Sequence, residues 1–277
     1  MLPGKQIDIL YALHLYKFLN RNQLARLGIE RYKSNFSKFI NPLLASNLIK
    51  CQDARIVGLG YIYYLTKKGF VLLGSLRDIS DQKKSYPKRK PTMDSNVFHR
   101  TYAIDCQIEL FCNCEEWDVE ILFYEKDIDN SIRKNERKTR IRLSDSEHIE
   151  PDGVFKLRTP KGEKLFCLEF EHKDSMKKSM AKVSNYIKAT NQKLVSAKYN
   201  HDRGHRTLFI YHDQKLKDRV MDRVAKEYGD VGSWFLFKSY DEVVPQISLE
   251  KSRYEISKRK NFFACWATTN REIVDLY

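Results

Sequence analysis

The sequence predicts an α/β chain, α+β overall, in which a small helical module precedes a central sheet flanked by helices. Three observations predict it. Within the first 76 residues, three amphipathic helical patterns are followed by two short strand patterns and one more helix. Between 119 and 237, strand-like runs alternate with helical ones. At the middle of that stretch, residues 150–157 (EPDGVFKL) and 164–171 (KLFCLEFE) are apolar runs separated by the turn residues Thr159-Pro160-Lys161-Gly162, the pattern of two adjacent antiparallel strands.

The elements justify themselves in order. Residues 6–19 place Ile7, Leu10, Leu13, Leu15, Tyr16 and Leu19 on a broad helical stripe. Residues 21–29 read as a short second helix stopped at Gly28. A third helix, over 32–45, turns Phe36, Phe39, Ile40 and Leu43 inward and Lys33, Asn35, Ser37 and Lys38 outward. After Leu48-Ile49-Lys50 and a run to Gly58-Leu59-Gly60 comes the strand 61–65 (YIYYL), and Thr66 is a good N-cap for the helix opened by Lys67 and Lys68. Three helices, a two-stranded hairpin and a closing helix resemble a winged helix-turn-helix, a superfamily in which wording such as Tyr63-Tyr64-Leu65-Thr66-Lys67-Lys68-Gly69 is common. That resemblance implies a recognition helix in a major groove, with Lys33, Asn35 and Lys38 toward DNA and Lys67 and Lys68 near phosphates. A helical protein-docking module is the alternative.

Charge supports a polyanionic partner. The 277 residues carry a net charge of +14, and residues 1–96 hold 17 Lys or Arg against 6 Asp or Glu, which leaves only +3 for the remainder. Cations concentrated in this way suit the displacement of counterions from nucleic acid, with a solvated lysine surface as the plain alternative. Residues 77–96 are basic and proline-punctuated, a linker in which Lys88, Arg89 and Lys90 can track a DNA backbone or simply stay solvated.

Helical spacing returns over 97–112, with His99, Ala103, Cys106 and Leu110 on one line; His99 there reads as a satisfied core histidine. A strand over 119–124 precedes residues 133–142, six of which are basic, so that Arg137, Lys138 and Arg140 fall on an arm able to grip phosphates or on a merely charged loop. A helix over 175–188 sets Met176, Met180, Val183 and Ile187 toward the sheet and Lys178, Lys182 and Tyr186 on another face. A strand at 207–211, a helix at 216–227 and a strand at 234–237 follow, before a basic and aromatic tail. The expected domains are therefore 1–76, a linker 77–96, a sheet domain 97–250 and the tail 251–277.

The chemistry concentrates on one strand face. Phe166, Leu168 and Phe170 alternate with Cys167, Glu169 and Glu171, so one face is apolar and the other carries two carboxylates. A hairpin brings Asp152 beside them. Three gathered carboxylates repel one another unless a cation stands between, and a hard divalent metal with oxygen ligands is the expected one. Glu147 and Glu150 are further candidates, and the competing expectation is that Glu169 and Glu171 form the wet face of an edge strand.

Pro151-Asp152, a gap, then Glu169-Phe170-Glu171 resembles the core of a PD-(D/E)xK nuclease, the restriction-endonuclease-like fold, with Glu171 at the usual lysine position. Taken with the N-terminal module, the basic linker, the His99-Arg100 helix and the helix bearing Lys182 and Tyr186, the whole resembles the replication-relaxation family, nearest to its MobC-type plasmid relaxases. This resemblance implies metal-dependent nicking of one strand of double-stranded plasmid DNA at a transfer origin, with other relaxosome or coupling proteins as further partners. Asp152, Glu169 and Glu171 would hold Mg²⁺ or Mn²⁺, Glu171 completing the site or acting as base, and Lys173 or Lys182 would supply the missing cation. The alternatives are a catalytically silent relaxosome accessory or plasmid replication factor, and an endonuclease that cuts both strands.

Other classes fit less well. Six cysteines show no C-x-x-C spacing, against a zinc ribbon or disulfide framework. The His201-Asp202-Arg203-Gly204-His205 stretch lacks further zinc ligands nearby, no P-loop is present, and no histidine cluster of the kind used by tyrosine relaxases occurs. No apolar run spans a bilayer and the N-terminus lacks signal-peptide character, so the expected location is cytoplasmic, away from membrane.

Overall fold

The computed structural model describes residues 2–55, 59–76, 96–126, 138–172, 175–251, 253–267 and 273–275. They fall into two compact units: Met1–Ile108 with Gln246–Lys258, and Glu109–Pro245 with Arg259–Tyr277. These divisions differ from the expected 76 and 250, because the first unit takes in half of a long helix and a late hairpin.

In the first unit, helix α1 (Gly4–Tyr16) ends at Lys17, whose φ of 74° breaks the helix. The predicted helix overran this point, because Leu19 belongs instead to a short strand, β1 (Leu19–Asn20), paired with Tyr63. Asn20 then caps α2 (Arg21–Arg26): its side chain accepts from Gln23 N–H at 2.8 Å, while the Gln23 side chain accepts from Asn20 N–H at 2.9 Å. The backbone departs in the left-handed region at Gly28 (φ 74°). Helix α3 (Lys33–Ala45), which packs on α1, buries Phe36, Ile40 and Leu43, as α1 buries Ile9, Leu10 and Leu13. Strands β2 (Ile49–Asp53) and β3 (Tyr61–Leu65) complete an antiparallel sheet of order β1-β3-β2. Thr66 caps α4 (Lys67–Leu76) by accepting from Gly69 N–H at 3.1 Å. Gly69 has to be small: a Cβ there would lie 2.0 Å from the Leu48 carbonyl oxygen.

Helix α5 (Asn96–Glu116) crosses the division between the units. Its first half is held to α2, where buried Asp105 pairs with Arg26 and accepts from Gln23 Nε2 at 2.9 Å. The second unit is built on strands β4 (Glu120–Lys126), β7 (Gly153–Thr159), β8 (Gly162–Glu171), β9 (His205–Tyr211), β10 (Phe235–Ser239), β13 (Ala264–Ala267) and β14 (Ile273–Asp275). They form one mixed sheet of order β14-β13-β10-β9-β8-β7-β4, parallel across β8-β9-β10 and antiparallel on both flanks. The predicted turn at 159–162 closes the β7–β8 hairpin, with Gly162 at φ 103°.

One sheet face, with Leu165, Cys167, Phe209 and Tyr211, is covered by α6 (Met176–Asn191) and α8 (Gln214–Tyr228) through Met180, Val183, Val220 and Val224. On the other, Phe155 and Phe166 stack at 5.0 Å, and the ring series continues through Tyr124 to Phe111 of α5. A small ladder, β5 (Ile141–Arg142) with β6 (His148–Ile149), and the short helix α7 (Leu194–Lys198) complete this unit. The expected tail divides: β13 and β14 extend the large sheet, whereas the hairpin β11 (Ile247–Glu250) and β12 (Arg253–Ile256) belongs to the first unit, where Tyr254 N–H donates to Arg31 O at 2.7 Å. Among the described residues, no helix is long and apolar enough to cross a membrane.

Candidate active site

Strand β8 runs between β7 and β9, so its carboxylates stand at the end of a central strand. The edge-strand expectation is thereby overturned. Glu169 is 4 % and Glu171 1 % exposed, because alternation puts both on the face covered by α6. One step beyond the Gly153–Leu168 pair, Asp152 comes across from Glu169, and its Oδ2 accepts from Phe170 N–H at 2.8 Å. The glycine after it makes room: a Cβ on Gly153 would lie 2.6 Å from the Tyr124 hydroxyl oxygen.

Helix α6, capped by Ser175, supplies the partners. Lys182 Nζ donates to Glu171 Oε1 at 2.5 Å and to Glu169 Oε2 at 3.1 Å. Tyr186 donates from its hydroxyl to Glu169 Oε1 at 2.6 Å. Spacing set Lys182 and Tyr186 on another face from the apolar line of α6, and both nevertheless meet the carboxylates of β8. They lie beside the apolar line of Met176, Met180, Val183 and Ile187, and the arc of α6 that meets the sheet is wide enough to include them.

Burial pushes the Glu169 carboxyl above the usual carboxylate range; Lys182 opposes this, nearby Asp152 adds to it, and the Tyr186 hydrogen bond lowers it. Burial alone would lower the Lys182 ammonium, but Glu169, Glu171 and Asp152 hold it above its ordinary value. Burial and then Glu169 push the Tyr186 phenol well up. The cluster thus contains three carboxylates, one firmly held cation and one phenol donor.

Glu147 and Glu150 are engaged elsewhere. Glu147 pairs with Lys188 at 2.8 Å, and Glu150 with Arg140. Arg140, expected on a phosphate-gripping arm, is therefore held by a carboxylate, and the carbonyls of Lys138 and Arg140 both accept from Lys198 Nζ. In the first unit, Lys33, Lys38, Lys67 and Lys68 are exposed and Asn35 is half-buried. Lys68 reaches the Ser46 carbonyl at 3.1 Å. Lys88, Arg89, Lys90, Arg137 and Lys173 lie outside the described residues.

The sequence reading missed a group of rings at the same end of the sheet. His172 and His212 meet edge to face at 5.0 Å, Phe170 stacks on His172, and Tyr240 packs against both Phe170 and His212. Phe170 lies near the end of β8, and His172, His212 and Tyr240 follow β8, β9 and β10 at their carboxyl ends, where parallel strands commonly present ligand-binding groups. The only local signal was a histidine immediately after each of the first two strands.

Among the described residues, no group of three His, Cys, Asp or Glu side chains is arranged to hold a metal ion, and the two glutamates meet Lys182 instead. The donor chemistry nevertheless suits a hard divalent cation. Three oxygen-donor carboxylates face one ammonium, a surplus of negative charge that such an ion would balance, and Asp152 is only half-buried. The chain matches no family model, no curated protein and no solved structure.

Proposed function

We propose that this chain is a DNA-nicking enzyme of the plasmid-relaxase kind, binding double-stranded DNA through its first unit and cutting one strand at the carboxylate cluster of the second. The observation that supports this is the convergence of Asp152, Glu169, Glu171 and Lys182 at the carboxyl end of the central strands. Asp152, Glu169 and Glu171 would hold Mg²⁺ or Mn²⁺, which when bound polarises a scissile phosphate and makes its water more acidic. Lys182, held cationic by its carboxylate neighbours, would face the negative charge that grows on phosphorus oxygens. Glu171, which accepts from Lys182 at Oε1, would complete the metal site or act as the base.

The proposed DNA contacts are Lys33, Asn35 and Lys38 on α3 and Lys67 and Lys68 at the start of α4, in the manner of a winged helix. A restriction-endonuclease-like arrangement of the second unit, cytoplasmic action at a transfer origin and relaxosome partners belong to the same proposal. One observation favours a second reading. Lys182 already bridges both glutamates, as it would in a protein that binds DNA without cutting it.

Conversion of supercoiled plasmid to open circles separates the two. The full chain is incubated with plasmid carrying the candidate transfer origin, with Mg²⁺, with Mn²⁺ and with chelator, beside Asp152→Ala and Glu169→Gln. Metal-dependent open circles lost in both variants, with DNA binding retained, are expected. Tight binding without nicking under either metal would replace the enzyme by a DNA-binding accessory, and linear product at the outset would point to a two-strand cutter.

A further inference from the structure

At the opposite end of β8 and β9 from the carboxylates, the second unit carries a partly open cavity of about 770 Å³. Its size lies within the range that holds small organic ligands. Lys193, Arg203 and Arg206 line it, against a single acid, Asp202, and Trp234 contributes an aromatic side chain to the lining. None of Asp152, Glu169, Glu171 or Lys182 belongs to this lining, so it is a separate place in the fold.

His205 is the informative residue. It opens β9, lines the cavity and is 3 % exposed, yet among the described residues neither ring nitrogen has a hydrogen-bond partner. His201 Nε2, on the same lining, is also buried without a partner. Native interiors pair nearly all their buried polar atoms, so two imidazoles left in this condition beside a cavity mark where something else supplies the partners. Burial holds His205 neutral down to about 4, with His201 adding to the effect. At ordinary pH its ring therefore offers one donor and one acceptor and no charge.

We propose that this cavity binds a nucleoside 5′-monophosphate, either free or as the phosphorylated end of a nucleic-acid strand. Arg203, Arg206 and Lys193 receive the phosphate, for which guanidinium groups are well shaped. The neutral imidazoles of His201 and His205 pair with the donors and acceptors of base or sugar, and Trp234 lies beside its apolar ring. A permanently cationic rim with neutral hydrogen-bonding groups deeper inside suits a ligand that is charged at one end only.

Calorimetric titration of the full chain tests this with adenosine and guanosine 5′-monophosphate, adenosine, inorganic phosphate, and a DNA tetranucleotide with and without a 5′-phosphate. Saturable one-to-one binding of a monophosphate is expected, weaker by at least about tenfold for adenosine and for phosphate alone. A phosphorylated tetranucleotide that binds as tightly as the monophosphate assigns the site to strand ends, and one that does not bind assigns it to the free nucleotide. Arg203→Ala and Arg206→Ala, both exposed, should each weaken binding about tenfold or more. His205→Leu should lose binding while keeping or raising the thermal midpoint, an outcome that unfolding cannot imitate, and Asp152→Ala should bind normally. Absence of saturable binding by every phosphorylated probe overturns the proposal. So does binding unaffected by Arg203→Ala and His205→Leu, or inorganic phosphate binding as tightly as the nucleotides.

Discussion

Replacing Lys182 by Met removes the cation that two buried glutamates share. Its ammonium lies 2.5 Å from Glu171 and 3.1 Å from Glu169, whose side chains are 0 % and 5 % exposed, whereas Lys182 itself keeps 36 % of its surface in water. Breaking a fully buried pair on one side costs about 3–5 kcal/mol. Solvent screening of the exposed third of Lys182 reduces the expected loss to about 2–3 kcal/mol near neutral pH. The loss depends on pH with a definite sign. Burial already places the folded Glu169 carboxyl above its unfolded value of 4.5, and without Lys182 it rises further. A group raised on folding contributes stability that is present below the unfolded pKa and lost as pH rises through the folded one. The deficit of Lys182→Met relative to the natural chain is therefore largest at about pH 8 and shrinks toward about pH 5. Urea unfolding followed by tryptophan fluorescence measures it, and all three tryptophans lie in the second unit, so the signal reports on the region perturbed. A deficit below about 0.5 kcal/mol at both pH values would show that the ammonium does not compensate these carboxylates.

Tyr186→Phe removes the hydroxyl that donates to Glu169 at 2.6 Å. A loss of about 1.5–3 kcal/mol is expected in the same urea assay, and it should be smaller in a Glu169→Gln background. Gly69→Ala forces a methyl group against the Leu48 backbone, so the first unit should lose about 1–3 kcal/mol, read by far-ultraviolet circular dichroism because that unit contains no tryptophan. The His205 imidazole, held down to about 4 against an ordinary 6.5, binds its proton more weakly folded than unfolded. Stability from this source is full above the unfolded value and falls as pH drops through 6.5 toward about 4, by up to about 3 kcal/mol. Unfolding curves across that window should show the loss, and His205→Leu should abolish it.

What the sequence revealed and what it hid divide along the range of the interactions. The β7–β8 hairpin was legible because its turn and its alternation are both local, and Thr66 was legible as a cap because the helix it starts follows at once. The position of β8 within the sheet was not, since β9 joins it from across α6 and α7. Period-two alternation says which residues share a face but not whether a helix covers that face, so buried Glu169 and Glu171 read equally well as an exposed pair. Lys182 was identifiable as a cation of the right kind, yet the spacing that set it apart from the apolar line concealed that both meet the sheet. His205 read as part of a polar loop because its burial depends on α6 and α7 lying over the start of β9.

The return of residues Gln246–Lys258 to the first unit bears on how the chain is made. The carbonyl of Arg31 meets Tyr254, and Tyr32 bridges to Arg253, only after strands β7 to β10, which lie between them in the sequence, have been translated. During synthesis the nascent first unit lacks its closing hairpin, and the Arg31 carbonyl lacks the Tyr254 N–H that it accepts from in the complete unit. Completion of that unit thus registers that the carboxylate-bearing strand β8 and its neighbours β7, β9 and β10 have already been synthesised.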